Sequence, residues 1–199
     1  MSLHIVLAIF LLWQTSQSAP LLENEFVRVS RNAAPCAAGA ATCGDRVLVA
    51  LGPVKLGAQK LQRGQIKVFK AGKSYSPPQA GDYLEVAIKP AHPKPSAPPA
   101  GTPPAPDNKV LYDGKGYTVF AEKMEPGELS SVHSHNLRLA IFLNRTLVQQ
   151  WNAPATPPTG KSETRELVPD TVMWRPSVVH ASKDVGKTPI SNLLIEFKP

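Results

Sequence analysis

An internal repeat constrains the fold of this 199-residue chain more than any other feature of its sequence. Apolar runs and turn residues of the first half recur in the same order in the second half. The paired segments are 26–52 with 117–144, 61–69 with 167–174, and 83–90 with 192–199. Each copy of a repeat must present the same burial pattern, so the sequence predicts two copies of one structural unit.

The repeated unit has the composition of a β-structure. Runs of Val, Ile, Leu and aromatic residues, such as 47–51, 66–69, 139–143 and 193–197, alternate with turns rich in Gly, Pro, Asn and Asp. This pattern is typical of strands, and no helix-length stretch has a periodicity of 3.6 residues. Many short strands with regular turns predict an all-β barrel or sandwich, and the double-sheet jelly roll is one such fold.

A proline-rich segment, residues 91–108, separates the two copies. Proline fixes φ and removes a backbone donor, so we expect an extended connector on the surface. His92, within this segment, is predicted to be a solvated residue. The connector divides the chain into an N-terminal copy, 22–90, and a C-terminal copy, 109–199.

The first residues of the chain resemble an export signal. Ile5 to Trp13 is an apolar run of nine residues, and polar and small residues follow it up to Ala19. The run is too short to span a bilayer. It predicts a signal peptide over residues 1–18, a secreted or periplasmic protein and no stable membrane anchor. A buried first strand is the alternative.

Two cysteines, Cys36 and Cys43, lie in a loop of small residues. In an oxidising compartment such a pair is most simply a disulfide, and a loop this short adds roughly 2.5 kcal/mol in the chain-entropy description. A redox or metal role is the alternative. However, the six intervening residues match neither a Cys-x-x-Cys dithiol nor the common zinc spacings.

The formal charge of +7 is spread along the chain and forms no basic block. Nucleic-acid binding is therefore not indicated, because a basic patch or stripe is its usual electrostatic signature. A basic exterior favours acidic partners such as anionic cell-surface polymers or acidic substrates.

Three histidines suggest a metal site: His133 and His135 in a His-Ser-His run, and His180 further along the chain. Residues two apart in a strand point to the same face, so His133 and His135 enter one space if the segment is extended. A third imidazole from another strand would complete a metal face. Neutral imidazole suits a divalent transition metal such as Fe, Mn, Zn or Ni. The alternative is three unrelated, half-buried histidines.

The frame around these histidines resembles the cupin superfamily. Gly127, His133 and His135 match the first cupin motif in type and spacing. The second motif is matched partly, with Pro176 and His180 close to the expected spacing. The resemblance implies a double-stranded β-helix jelly roll. With the repeat, it implies a two-copy, bicupin-like chain in which only the C-terminal copy keeps the histidines.

Some positions depart from the cupin pattern. The usual Glu ligand is absent, and Arg138 falls nearest its place. The Gly that closes the first motif aligns with Arg145, and Tyr75 of the N-terminal copy aligns with His180. The resemblance therefore implies three histidine ligands, with no metal site in the N-terminal copy.

Cupins that lack the Glu ligand include dioxygenases with iron on three histidines, in which an arginine can bind the substrate carboxylate. By resemblance, Arg138 is a candidate for that role. However, strand parity puts it on the opposite face from His133 and His135 unless the chain bends after Asn136. An exposed strand residue is the alternative for Arg138.

The function that the resemblance implies is a metal-dependent dioxygenase or isomerase acting on a small polar metabolite. The alternative is a non-catalytic cupin that binds a small ligand or metal, or has a structural role, since one fold hosts many functions. No carboxylate of the sequence stands out as a general acid or base in the site. Cupins often pair through their sheets, which implies a homodimer.

Overall fold

The computed structural model describes residues 19–33, 44–73, 75–95, 97–98, 105, 108–152 and 160–199. The predicted signal peptide and both cysteines lie outside these residues. Every regular element in the described ranges is a β-strand, so the prediction of an all-β fold is confirmed. No described segment forms a helix with the length and apolar character needed to cross a membrane.

The described residues form sixteen strands. They are β1 (Leu22–Glu23), β2 (Val27–Arg31), β3 (Arg46–Ala50), β4 (Val54–Leu56), β5 (Gln59–Leu61), β6 (Ile66–Phe69), β7 (Tyr83–Ile88), β8 (Lys109–Asp113), β9 (Tyr117–Met124), β10 (His133–His135), β11 (Arg138–Phe142), β12 (Thr146–Trp151), β13 (Glu163–Leu167), β14 (Val172–Arg175), β15 (Val178–Asp184) and β16 (Ile190–Phe197). We call β1–β7 the N-terminal lobe and β8–β16 the C-terminal lobe.

Each lobe contains one five-stranded antiparallel sheet. The N-terminal sheet has the order β1-β2-β7-β3-β6, and the C-terminal sheet has the order β8-β9-β16-β11-β14. The strands that the repeat aligns therefore occupy corresponding places in the two sheets. The C-terminal lobe has a second sheet, β10-β15-β12-β13, which we call the histidine sheet, whereas the N-terminal lobe has the two-stranded sheet β4-β5. The copy boundaries 22–90 and 109–199 stay a prediction.

The largest hydrophobic core lies between the two five-stranded sheets. Alternate residues of each sheet enter it, for example Val47 and Val49 of β3 and Leu139 and Ile141 of β11, all fully buried. The other face of β11 carries Ala140 and Phe142 into a second core within the C-terminal lobe. The C-terminal sheet is therefore buried on both faces.

Aromatic rings pack at one end of the core between the sheets. Phe26, Trp174 and Phe197 have ring centroids 5.1–5.6 Å apart. His92 joins them at 5.0 Å from Phe26 and 5.5 Å from Phe197, so the prediction of a solvated His92 is wrong. The reason is that the backbone N–H of Lys89 bonds to the carbonyl of Phe26 and keeps the start of the connector beside these rings.

Arg63 links the two lobes. Its guanidinium donates to the backbone carbonyls of Leu51 and Leu143, two residues that the repeat aligns, and to Asp170 Oδ1 at 2.6 Å. Gly64 and Asp170, which the repeat also aligns, both have left-handed backbones, with φ of 80° and 63°. The same turn thus precedes β6 in one lobe and β14 in the other.

The inner face of the N-terminal lobe carries an ion pair where the C-terminal lobe carries its histidines. Arg46 donates to Glu85 at 2.9 Å, and the hydroxyl of Tyr75, the residue aligned with His180, also donates to Glu85. Burial raises the pKa of Glu85 to about 7, although Arg46 opposes the rise. Among the described residues of this lobe, no cluster of three metal-ligating side chains is present.

Candidate metal centre

The three histidines come together because β10 and β15 are paired strands. Their antiparallel register places His133 directly opposite His180. Residues opposite each other in such a pair share one face of the sheet, and His135 shares that face because it lies two residues from His133. The ring centroids are accordingly only 4.6–5.1 Å apart.

The imidazoles are buried and their nitrogens converge. The three residues are only 2–5% exposed. Nε2 of His133 lies 3.1 Å from Nε2 of His135, and one ligand nitrogen from each ring falls within 4.8 Å of the others. Nitrogens bound to one ion at about 2.0–2.1 Å stand at most about 4 Å apart, so a small movement of one ring would complete a coordination sphere.

Each imidazole uses its other nitrogen, Nδ1, for a contact outside the cluster. Nδ1 of His133 lies 2.8 Å from the carbonyl of Ser131, and Nδ1 of His135 bonds to the Glu196 carboxylate. Nδ1 of His180 contacts the side-chain amide of Gln150. The acceptors at His133 and His135 keep the proton on Nδ1 and leave Nε2 for a metal, and the Gln150 amide does the same for His180 when its oxygen, instead of its nitrogen, faces Nδ1.

Nε2 of His180 is the clearest indication of a missing ligand. This atom is buried and has no hydrogen-bond partner among the described residues. A buried polar atom without a partner is costly, so native proteins rarely keep one without a reason. A metal ion on the three Nε2 atoms would satisfy it, and the donor set therefore fits such an ion.

Burial keeps two of the histidines, His133 and His180, neutral. Burial lowers the pKa of His133, opposed by its hydrogen bond to the Ser131 carbonyl. Burial also holds the pKa of His180 well below its usual range, and the neighbouring His135 and His133 lower it further. Neutral imidazole is the form that binds metals, so these two rings need not lose a proton before binding.

A small cavity of about 40 Å³ adjoins the cluster, between the C-terminal sheet and the histidine sheet. His135 and His180 form part of its wall. Its other polar lining residues are Glu122, Arg138, Gln150, Arg165, Arg175, Ser182 and Asn192. The apolar part of the wall includes Met124, Ala140, Phe142 and Leu194, which belong to the inner core of the C-terminal lobe.

Arg138 lines this cavity, so the bend after Asn136 on which its inward orientation depended is present. The chain leaves the histidine sheet after His135 and joins the C-terminal sheet at Arg138, and alternation does not continue across such a change of sheet. Arg138 Nη1 donates to the carbonyls of Asn136 at 3.3 Å and Pro176 at 3.1 Å. Burial lowers the pKa of Arg138 to about 10, opposed by Glu196 and Glu122.

The structure adds two carboxylates that the sequence did not single out. Glu196 bonds to His135, and Glu122 lines the cavity and accepts a hydrogen bond from Asn192 Nδ2 at 2.6 Å. Both lie on strands whose alternate residues enter the core between the sheets. A polar residue between two core positions of a strand faces the other side of the sheet, and this pattern could have identified both carboxylates from the sequence.

No family model and no curated protein sequence matches the chain. Solved structures do. A cupin 2 conserved barrel domain protein from Leptotrichia buccalis matches with a TM-score of 0.52 and 12% identity, covering 89% of this chain and 86% of that one. AerE from Microcystis aeruginosa matches with a TM-score of 0.51 and 14% identity, covering 87% of both chains.

These matches show the fold: the chain has the cupin fold, as the histidine frame predicted. The fold and the cluster together define a cupin-fold protein with a three-histidine site suited to a metal ion.

Proposed function

We propose that the protein holds one divalent transition metal ion, Fe, Mn, Zn or Ni, on His133, His135 and His180. We further propose that it acts on a small polar metabolite as a metal-dependent dioxygenase or isomerase. The observation that carries the proposal is the convergence of the ligand nitrogens while every Nδ1 has an outer partner. When bound, the metal would supply Lewis acidity and open coordination positions for ligands.

Three residues of the chain hold the histidine rings in their orientations. The Ser131 carbonyl and the Gln150 amide hold two rings in place, and Glu196 holds the third while adding negative charge beside it. Carboxylate–histidine pairs raise the basicity of the ligand, so Glu196 should strengthen metal binding through His135.

Glu122 favours catalysis over simple binding. It is half-buried in the wall of the cavity that His135 and His180 also line, where a carboxylate can exchange a proton with a bound molecule. The hydrogen bond from Asn192 holds this carboxylate in place in the cavity wall, so Glu122 is our candidate for the general base.

Oxygen uptake tests the catalytic proposal. Iron-loaded protein is offered a panel of small acids, thiols and diketones, and we expect at least one compound to give uptake above that of the His180→Ala variant. Glu122→Gln should reduce the rate by about 100-fold or more, the usual range for a general acid or base, with metal content unchanged. The same panel is followed by NMR for isomerisation.

One outcome would decide against catalysis, and another would decide against Glu122 as the general base. If no compound is consumed or isomerised while metal and ligand still bind, the protein is a non-catalytic binding or structural cupin. If Glu122→Gln keeps the full rate, Glu122 is not the base and its role is confined to the wall of the cavity.

We also propose that the protein is exported and that Cys36 and Cys43 form a disulfide. The apolar run before Ala19 and the spacing of the two cysteines support this. Protein recovered after export should lack residues 1–18 by mass and show no titratable thiol until it is reduced. Two free thiols in that protein would contradict the disulfide and weaken the case for export.

A further inference from the structure

The cavity beside the histidines is rich in positive charge. Arg138, Arg165 and Arg175 all line it, whereas Glu122 is the carboxylate in its lining and Glu196 is bonded to His135. Each carboxylate already accepts a hydrogen bond, Glu122 from Asn192 and Glu196 from His135. The guanidinium groups therefore outnumber the carboxylates, and a bound metal ion would increase the excess.

Two of these arginines have donors to spare. Nη2 of Arg175 and Nε of Arg165 are buried and have no hydrogen-bond partner among the described residues. Arg165 is held in place by the ring of Phe142, 5.9 Å from its guanidinium carbon, and by the sulfur of Met173. In the wall of a cavity, such a buried guanidinium N–H can donate to an acceptor from outside the chain, such as water or a bound anion.

Arg138 differs from the other two. Its Nη1 already donates to the backbone carbonyls of Asn136 and Pro176, which fixes the start of β11 against the end of β14. These contacts give Arg138 a positioning role. The anion-binding role that resemblance suggested for it therefore fits Arg175 and Arg165 better.

We infer that the cavity is a binding site for a small carboxylate, with Arg175 and Arg165 as its donors. The inference rests on the proposed function, because the other end of the ligand would reach the metal on the histidines. Guanidinium groups bind carboxylates through charge-assisted, often paired, hydrogen bonds. The cavity of about 40 Å³ has room for roughly three water molecules, which limits the ligand to a few non-hydrogen atoms.

Calorimetric titration tests the inference without turnover. Zinc-loaded and metal-free protein are titrated with acetate and oxalate, with neutral acetamide, and with the larger citrate. We expect acetate or oxalate to bind, and acetamide and citrate to bind at least about tenfold more weakly, because they lack the charge or exceed the volume.

Variants then identify the donors. Arg175→Gln should weaken carboxylate binding at least about tenfold with zinc content unchanged. The affinity of Arg175→Lys for carboxylate should lie between those of the wild type and Arg175→Gln, because lysine keeps the charge but lacks the planar guanidinium. Arg165→Gln should act in the same direction. Arg145→Gln, which removes an exposed arginine paired with Glu166, is the matched control and should bind as the wild type does.

The outcomes separate this inference from the proposed function. Carboxylate binding that depends on Arg175 in a protein that takes up none of Fe, Mn, Zn or Ni would support the anion site and overturn the metal site. Zinc uptake with no carboxylate binding, or with equal binding in the wild type and both glutamine variants, would overturn the anion site and leave the metal site standing. A neutral ligand bound as tightly as its carboxylate counterpart would also overturn it.

Discussion

Replacing His180 by Ala should reduce the metal content of the protein from about one ion per chain to background. His180 supplies one of three converging nitrogens, and its Nε2 is the buried atom that has no partner among the described residues. A cavity with two remaining imidazoles cannot enclose a transition metal ion on protein ligands, so affinity should collapse. Metal analysis of protein purified without chelator, after dialysis, measures the effect.

His92→Ala is the matched control for this experiment. It removes an imidazole that packs on Phe26 and Phe197 and contributes nothing to the histidine cluster. The control should lose some stability and keep its metal. Equal metal contents in the His180→Ala variant and the wild type would show that the cluster is not the metal site.

Phe197→Ala should lower the free energy of unfolding by about 3–5 kcal/mol, the usual range for deleting a buried aromatic side chain. Phe197 is fully buried at the end of β16, where its ring contacts Phe26 of the opposite lobe and Trp174. Its removal leaves a cavity in the core that joins the two sheets. Urea denaturation monitored by tryptophan fluorescence and circular dichroism gives the value.

Val110→Ala provides the comparison. Val110 is a large apolar residue on β8, but it is 53% exposed, and the change should stay within about 0.5 kcal/mol. If Phe197→Ala lowered the free energy of unfolding no more than Val110→Ala does, the core between the sheets would not hold the lobes together.

The fold was predictable because its evidence is local and repeated. Short apolar runs with turn residues between them gave the strands, and the His-Ser-His spacing placed His133 and His135 on one face. His180 lies more than forty residues further along, and only its resemblance to the second cupin motif indicated that it would join them.

The rest of the site depends on contacts that no local pattern encodes. The face of Arg138 could not be decided from sequence, because the chain changes sheet after His135 and a two-residue alternation holds only within one strand. Glu196 reaches His135 across sixty-one positions of sequence. Arg165 and Arg175 were missed for the same reason, since their strands β13 and β14 belong to different sheets, both of which line the cavity.

The C-terminal sheet is the single layer that separates the core between the lobes from the cavity beside the histidines. In β16, Leu194 and Glu196 face the cavity side, whereas Leu193 and Ile195 face the N-terminal lobe. Close-packed interiors transmit changes in volume. The N-terminal lobe carries none of the three histidines, yet its positions in the shared core are therefore useful targets for a mutagenesis library that aims to alter ligand preference. Substitutions that change how the N-terminal lobe packs on this sheet should therefore alter the cavity in the half of the chain that carries the histidine cluster.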